Sequence, residues 1–468
     1  MPEGSRVFKI FGNDDKRQKP QGAQGAAVGD VIFALDIGSS KIRLCAGQVD
    51  DRGSVTVLGY LEEYSHGVGH GAVTDIGELS HVLTGMVDRF INAYNFNLRS
   101  CVVGVPGCFI ESCNEQGSST VQNSIVTEAD KERAIENARA AVHFSESDFD
   151  IIHTIQQNYI TETSDEVQNP VGQYAKRLQV SVHVIGLRRA HEINVRNVLS
   201  QLGADFRASS FVYSGIAAAD SVLTEGEKEI GVCLIDIGGG TVNVAVYDNK
   251  RLKLSFGLDD GGNTITASIA RTFGLPMSVA EELKIKFGSA DPRYLTEEEI
   301  NTAVSYPGEP GNEGSRRDIS TQVLAQVIYN NLTNIFRLVQ DRIQEFVNTT
   351  PERSINLAAG FVLTGGVAMT RNIDKVLLNV NAAQPFSGYQ QGQSSVKIRV
   401  GSSRGLAGMG QPEIQKMAAP DRAVCVGLLR QGYSQRLRQM TEQSAREEKE
   451  GGFRSIMSRI SNWAKSEL

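Results

Sequence analysis

Apolar residues follow two rhythms along this chain. Ile76, Leu79, Val82, Leu83, Met86, Val87, Phe90 and Ile91 recur at spacings of three and four, which predicts a helix over 76–94 with one buried face. Similar patterns predict helices over 128–142, 190–202 and 319–347. Short β-rich runs alternate with them, at 33–37, 42–45, 101–105, 179–187, 230–237, 242–247 and 361–364. Such alternation predicts an α/β fold. Pro106-Gly107 ends one strand, and the stretch 306–315, with two Pro and three Gly, predicts a loop.

Two stretches repeat one pattern, with their acids at positions 36 and 236. Phe33-Ala34-Leu35-Asp36-Ile37-Gly38-Ser39-Ser40-Lys41 and Cys233-Leu234-Ile235-Asp236-Ile237-Gly238-Gly239-Gly240-Thr241 each run from an apolar strand through an acid to small residues and a second strand. Each predicts a tight hairpin. Small turn residues let backbone N–H groups approach a phosphate, and the acid before the turn can hold a Mg²⁺-bound water. Two copies predict duplicated lobes that clamp one nucleotide between them.

The candidate phosphate residues are therefore Asp36, Gly38, Ser39, Ser40 and Lys41, facing Asp236, Gly238, Gly239, Gly240 and Thr241, with Mg²⁺ held through water by Asp36 and Asp236. Glu281 and Lys284, three apart on a helix, can reach one ligand together. Gly365 and Gly366 leave room for a flat base against the backbone, so these four are the candidates for adenosine. No residue stands out as a general base.

At 468 residues the chain is too long for one core. Its 40% hydrophobic and 22% charged content is that of a globular protein, and a net charge of −7 argues against nucleic acid as the main partner. The six cysteines form no CxxC pair; Cys45, Cys233 and Cys425 lie in apolar runs as core residues, and Cys101, Cys108 and Cys113 read as core or surface thiols. No apolar run reaches 18 residues and the first residues lack a signal-peptide core, so a cytosolic protein is expected.

The order DIGSSK, IDIGGGT, AEELK and LTGGVA resembles the superfamily of actin, sugar kinases and heat-shock chaperone ATPases. Within it, Leu223–Cys233 followed by IDIGGGTVNVAVY resembles the bacterial cell-division family FtsA, over about 30–430. The resemblance implies an α/β, two-lobed actin-like ATPase fold of duplicated ribonuclease-H-like domains, with ATP and Mg²⁺ as cofactors and weak or switch-like ATPase activity at most. Residues 1–29, polar and rich in Gln, Gly and Lys, read as a flexible extension, and a change of pattern over 99–178 reads as an insertion in a first lobe over 30–98 and 179–220, which the resemblance makes subdomain 1C. The second lobe is expected over 221–384, with 2B at 251–346, and the chain then returns to the first lobe over 385–434.

It further implies self-polymerisation on the cytoplasmic face of the inner membrane at the division site, binding of the FtsZ C-terminal tail to 2B, and contact of other division proteins with 1C. Arg316 and Arg317 are candidate contacts for an acidic tail, with a solvated pair before a helix as the plainer reading. Asn243 departs from the family, standing where relatives often carry an acid, and the extension is longer than usual. A pilus-assembly adaptor of the PilM type and a small-molecule kinase share the superfamily fold and are the alternatives.

Residues 435–452 are charged and poor in apolar side chains, which predicts a linker. Beyond it, at about 100° per residue, Phe453, Ile456, Met457, Ile460, Trp463, Ala464 and Leu468 fall within an arc of roughly 140°. Arg454, Arg459 and Lys465 flank that stripe, where they can reach lipid phosphates. Each such cation is worth about 1 kcal/mol at an anionic leaflet. Packing on the protein's own core is the alternative fate of this helix; its position after a polar stretch, and the family resemblance, favour a membrane tether through Phe453, Ile456, Met457, Arg459, Ile460, Trp463 and Lys465.

Overall fold

The computed structural model describes residues 31–145, 148–203, 206–301, 303–307, 316–349, 355–385 and 396–450. The extension 1–29, most of the expected 306–315 loop and the whole 453–468 segment, with its candidate membrane residues, lie outside them.

The first lobe begins with β1 (Ile32–Ile37), β2 (Lys41–Val49) and β3 (Val55–Tyr64), an antiparallel meander. A two-residue pair, β4 (Val68–Gly69) and β5 (Ala72–Val73), leads into α1 (Ile76–Tyr94) and β6 (Ser100–Val105). Helix α1 has the predicted bounds because Asp75 caps its first turn, accepting from the Glu78 amide, and Asn95 ends it in the left-handed conformation. Its buried face of Leu79, Leu83, Met86 and Phe90 lies under the sheet.

Strands β7 (Ile110–Thr120), β8 (Phe149–Thr161), β9 (Ser164–Val167) and β10 (Arg177–Arg188), with α2 (Glu128–Ala140), form a separate four-stranded sheet in the order β7-β10-β8-β9. Thr127 and Asp130 cap α2 reciprocally, and Ala134 and Ala138 pack it on the sheet. The chain returns through α3 (Arg189–Ser200) and β11 (Arg207–Tyr213), completing the first lobe's sheet in the order β11-β6-β1-β2-β3. The insertion therefore does not span the expected 99–178. Strand β6 pairs in parallel with β1 and belongs to the lobe, whereas β10, expected to resume the lobe, pairs with β7 from Arg177↔Thr120 to Leu187↔Ile110. Both are apolar runs, and only the strand partner, distant in sequence, assigns each to its sheet.

Helices α4 (Ser214–Val222) and α5 (Glu225–Ile230) lead to β12 (Val232–Ile237), β13 (Val242–Asp248) and β14 (Arg251–Leu258). Then follow α6 (Gly262–Phe273), α7 (Met277–Phe287), α8 (Glu297–Asn301), the hairpin β15 (Ala303–Pro307) and β16 (Arg316–Ser320), and α9 (Thr321–Thr349). Tyr306 and Pro307, expected in a loop, close β15 opposite Arg317 and Arg316, because the hairpin partner supplies pairing that local composition does not reveal. Strand β17 (Gly360–Thr364), α10 (Ile373–Ala383) and β18 (Ile398–Val400) complete the second sheet, β14-β13-β12-β17-β18. So β14 is part of the main sheet rather than the start of a small subdomain at 251, and the second lobe reaches Val400, past the boundary expected at 384.

The last elements are α11 (Gln411–Met417) and α12 (Ala423–Glu450). Helix α12 occupies most of the expected 435–452 linker, because Gln, Arg, Glu and Lys carry good helix propensity even without an apolar stripe. Buried Ala217, Val222, Cys425, Leu428 and Leu429 pack α4 and α12 into one core that reaches both lobes. A Cβ on Gly427 would collide with the Ala217 carbonyl, so this crossing requires glycine. No helix among the described residues is long and apolar enough to cross a membrane.

Candidate functional site

The two repeated hairpins carry the site. In each, the first glycine closes the turn: Gly38 N donates to Lys41 O at 3.1 Å, and Gly238 N to Thr241 O at 2.9 Å. The turns meet across the cleft between the lobes. A Cβ on Gly239 would lie 2.8 Å from Ser40 Cβ, and one on Gly240 would lie 2.5 Å from Ser39 Oγ. Above them, the β4–β5 turn crosses the gap, with the Gly71 amide donating to Ser39 Oγ at 2.7 Å and His70 Nδ1 lying 2.7 Å from Asp259 Oδ1 of the second lobe.

A cavity of about 480 Å³ opens between the lobes. It is lined by Asp36, Gly38, Ser39, Ser40 and Lys41 from one hairpin and by Asp236, Gly238, Gly239 and Thr241 from the other. Glu281, Lys284, Gly365 and Gly366 line it as well. Gly240 is the exception: it is buried against Ser39 and His70. The two glycines that follow β17 also part company. Gly365 has φ 88° and its Cβ direction is filled by Ile237 O at 2.4 Å and Asp236 Oδ1 at 2.6 Å, so it serves close packing on the β12 turn rather than room for a base. Gly366 has helical φ −63° and nothing within 4 Å of its Cβ direction, so it leaves open space.

Two carboxylates face this cavity in different settings, Asp236 buried and Asp36 partly so. Burial raises Asp36, against the opposing charge of Arg43, whose Nη1 lies 3.6 Å away. Burial also raises Asp236, to about 7, against a hydrogen bond from Asn243 Nδ2 at 2.8 Å, and the Asp36 charge pushes the same way. Arg43 is further held by Glu62 at 2.8 Å and Asp421 at 3.3 Å. Lys41 lines the cavity with its Nζ paired to Glu62 Oε1 at 2.5 Å, its side chain 35% exposed. Burial would raise Glu62, but Arg43 and Lys41 override it and bring it to about 2.

Glu281 and Lys284 pair at 2.7 Å, and Lys284 Nζ also donates to Gly262 O at 2.9 Å and to Thr266 Oγ1 at 2.8 Å. Burial lowers Lys284, with Glu281 opposing. The exposed apolar side chains of Ile285 and Met369 line the cavity together with Gly366. Among the described residues no three His, Cys, Asp or Glu converge as metal ligands. A Mg²⁺ ion would fit Asp36 and Asp236 only with waters and phosphate oxygens filling its octahedron, which is how this ion is ordinarily held beside a nucleotide.

Several residues here escape a reading of the sequence. Arg43 and Asp421 are separated by 378 positions, and nothing local marks them as partners. Gly262 and Asn263 open α6 and donate their amides to Gly238 O at 2.9 Å and Gly239 O at 2.6 Å; the Gly261-Gly262 pair after a strand was the available signal. Arg316 and Arg317 lie in β16 of the second lobe, away from this cavity.

Two lobes, each a five-stranded sheet carrying a hairpin with a turn of small residues and joined around one interlobe cavity, define an actin-like ATPase fold. The chain belongs to the FtsA family of cell-division proteins. The model of the family "Cell division protein FtsA" matches residues 233–427, and that of the "SHS2 domain inserted in FTSA" matches 107–186, in agreement with the separate β7-β10-β8-β9 sheet. Cell division protein FtsA of Pseudomonas aeruginosa is 30% identical over 342 residues, 73% of this chain and 78% of that one. Its counterpart in Neisseria meningitidis serogroup B is 29% identical over 433 residues, 92% and 97% of the two chains. Among solved structures, a chain of a PilM-PilN type IV pilus biogenesis complex superposes with a TM-score of 0.55 at 14% identity, covering 86% of this chain and 98% of that one, a likeness of fold.

Proposed function

We propose that this chain binds ATP with Mg²⁺ between its lobes, polymerises on the cytoplasmic face of the inner membrane, anchors FtsZ filaments there and helps recruit later division proteins. The meeting of both hairpins at one cavity, with an acid from each lobe facing it, is the observation that carries the reading. Backbone amides and hydroxyls of Ser39, Ser40, Gly239 and Thr241 offer donors to phosphates from both sides. Bound Mg²⁺ supplies positive charge between those phosphates and the acids. Glu281 and Lys284 hold the sugar side, and the open space at Gly366 receives the base.

Because both lobes contribute donors, a nucleotide favours the closed arrangement, and that arrangement is the one a filament would select. The amphipathic sequence 453–468 would tie the assembly to anionic lipid, one copy binding weakly and many together strongly. An acidic FtsZ tail would meet the second lobe, with Arg316 and Arg317 as candidate contacts, and other division proteins would meet the inserted sheet.

Reconstitution on a supported anionic bilayer tests the whole reading. Fluorescent FtsZ filaments are expected to attach only with this protein and ATP·Mg²⁺ present. Equal attachment without nucleotide would remove the ATP switch, and no attachment at all would remove the tether.

A further inference from the structure

We propose that Asn243 links the nucleotide site to the inserted subdomain, so that occupancy at Asp236 tightens the seating of that subdomain on the second lobe. Asn243, 4% exposed, lies opposite Asp236 in the β12–β13 register. Its Nδ2 donates to Asp236 Oδ2 at 2.8 Å, and its Oδ1 accepts from Gly107 N at 2.7 Å. Those two bonds fix the amide orientation, because reversing it would set oxygen against carboxylate and NH₂ against N–H. An aspartate could accept from Gly107 but could not donate to an ionised Asp236, and would put two buried carboxylates in contact. The amide therefore joins a cavity acid of one lobe to the backbone of the other.

Gly107 is the root of the insertion. It follows Pro106 at the end of β6, and its Cβ direction is filled by Gly257 of β14 at 2.6 Å, with Gly257 equally blocked by Gly107 at 2.2 Å. Backbone thus touches backbone with no side chain between to absorb movement. Beyond the root the insertion grips the same edge strand. Ser112 Oγ donates to Ser255 O at 2.6 Å, and Asn114 Nδ2 donates to Lys253 O at 2.8 Å. Asn114 Oδ1 then accepts from His183 Nδ1 at 2.7 Å, leaving Nε2 of the neutral ring to accept from Ser255 Oγ at 2.7 Å. A ligand seated against Asp236 holds that carboxylate, and through it the Asn243 amide, in one position, and the restraint passes through Gly107 and Gly257 to β7 and β14.

The inference rests on the nucleotide reading, and its test separates the two. Amide hydrogen exchange of the full chain is followed over 107–120 and 251–258, with and without ATP·Mg²⁺, while calorimetry records binding. Wild type is expected to bind and to slow exchange in both segments by about tenfold or more. In Asn243→Ala, at saturating nucleotide, that slowing is expected to vanish. By reciprocity, Ser112→Ala/Asn114→Ala, which touches no cavity group, is expected to weaken nucleotide binding by about three- to tenfold. Nucleotide binding by wild type without any change over these segments would overturn the coupling and leave the nucleotide reading standing, whatever the variants do. Slowing retained in Asn243→Ala would also overturn it, and no binding by wild type would remove both.

Discussion

Gly239 and Ser40 stand opposite each other across the interlobe cleft, so close that a Cβ on the first would lie 2.8 Å from that of the second. The lobes close only because one of the two turns carries no side chain there. Gly239→Val should hold the lobes apart and weaken ATP binding by roughly 100-fold, since the hairpin backbone cannot yield without losing its own pairing. Gly366→Leu should weaken binding too, by filling open cavity, yet leave thermal stability nearly unchanged, because its φ of −63° suits any residue. Gly365→Ala is expected to do the reverse and destabilise the fold by about 1–3 kcal/mol, being both left-handed and packed on Ile237 O. Calorimetry and thermal unfolding of the three variants distinguish space from strain.

Asp236 makes folding and binding depend on pH with a definite sign. Its carboxyl is raised to about 7 in the folded chain, so the folded state holds a proton that the unfolded state has already released. This group's contribution to stability is therefore full at pH below about 4, falls as pH rises toward 7, and levels off above it. Asp236→Asn should be more stable than wild type at pH 8 by up to about 4 kcal/mol, a difference that closes near pH 4. Mg²⁺-nucleotide binding should release protons at neutral pH, visible as a buffer-dependent calorimetric enthalpy. Asp236→Ala should weaken binding more with Mg²⁺ than without it; equal loss in both would remove the metal role.

A peptide copying the FtsZ C-terminal tail is expected to bind the second lobe, and to bind several-fold more weakly as salt rises from 50 to 300 mM. The Arg316→Glu/Arg317→Glu variant should lose that salt-sensitive part. Fluorescence anisotropy with labelled peptide measures both, and an unchanged affinity in the double variant would exclude these two arginines while leaving the partner open.

Deleting 453–468 should release the protein from anionic liposomes without altering ATP binding. Trp463→Glu should come close to the deletion, because it sets a charge within the apolar arc. Trp463 is the chain's single tryptophan, so its emission reports this segment directly, and it should shift to the blue when liposomes are added. An emission already blue-shifted in lipid-free protein, and unmoved by liposomes, would mean that the helix packs on the protein itself.

The hairpins at Asp36 and Asp236 were legible in the sequence because every residue that shapes them is local: an apolar strand, an acid, glycines and serines at the turn, and a second strand. Helix α1 was legible for the same reason, its spacing and its capping Asp75 lying within one segment. The sequence alone also determined that the two hairpins share one design, a strand, an acid and a turn of small residues.

Only the tertiary structure decided what depends on partners far apart in the chain. Strand β6 belongs to the lobe and β10 to the insertion because of the strands each pairs with, and an apolar run carries no address for its partner. The bond between Asn243 and Gly107 joins residues 136 positions apart, and Lys41, offered by the sequence as a phosphate contact, pairs with Glu62 across the β2–β3 ladder. Gly365 and Gly366 are identical and adjacent as letters. One is packed against Ile237 and the other opens on the cavity, because direction is a property of the folded backbone. Local chemistry thus specified the parts, and long-range packing decided which of them meet.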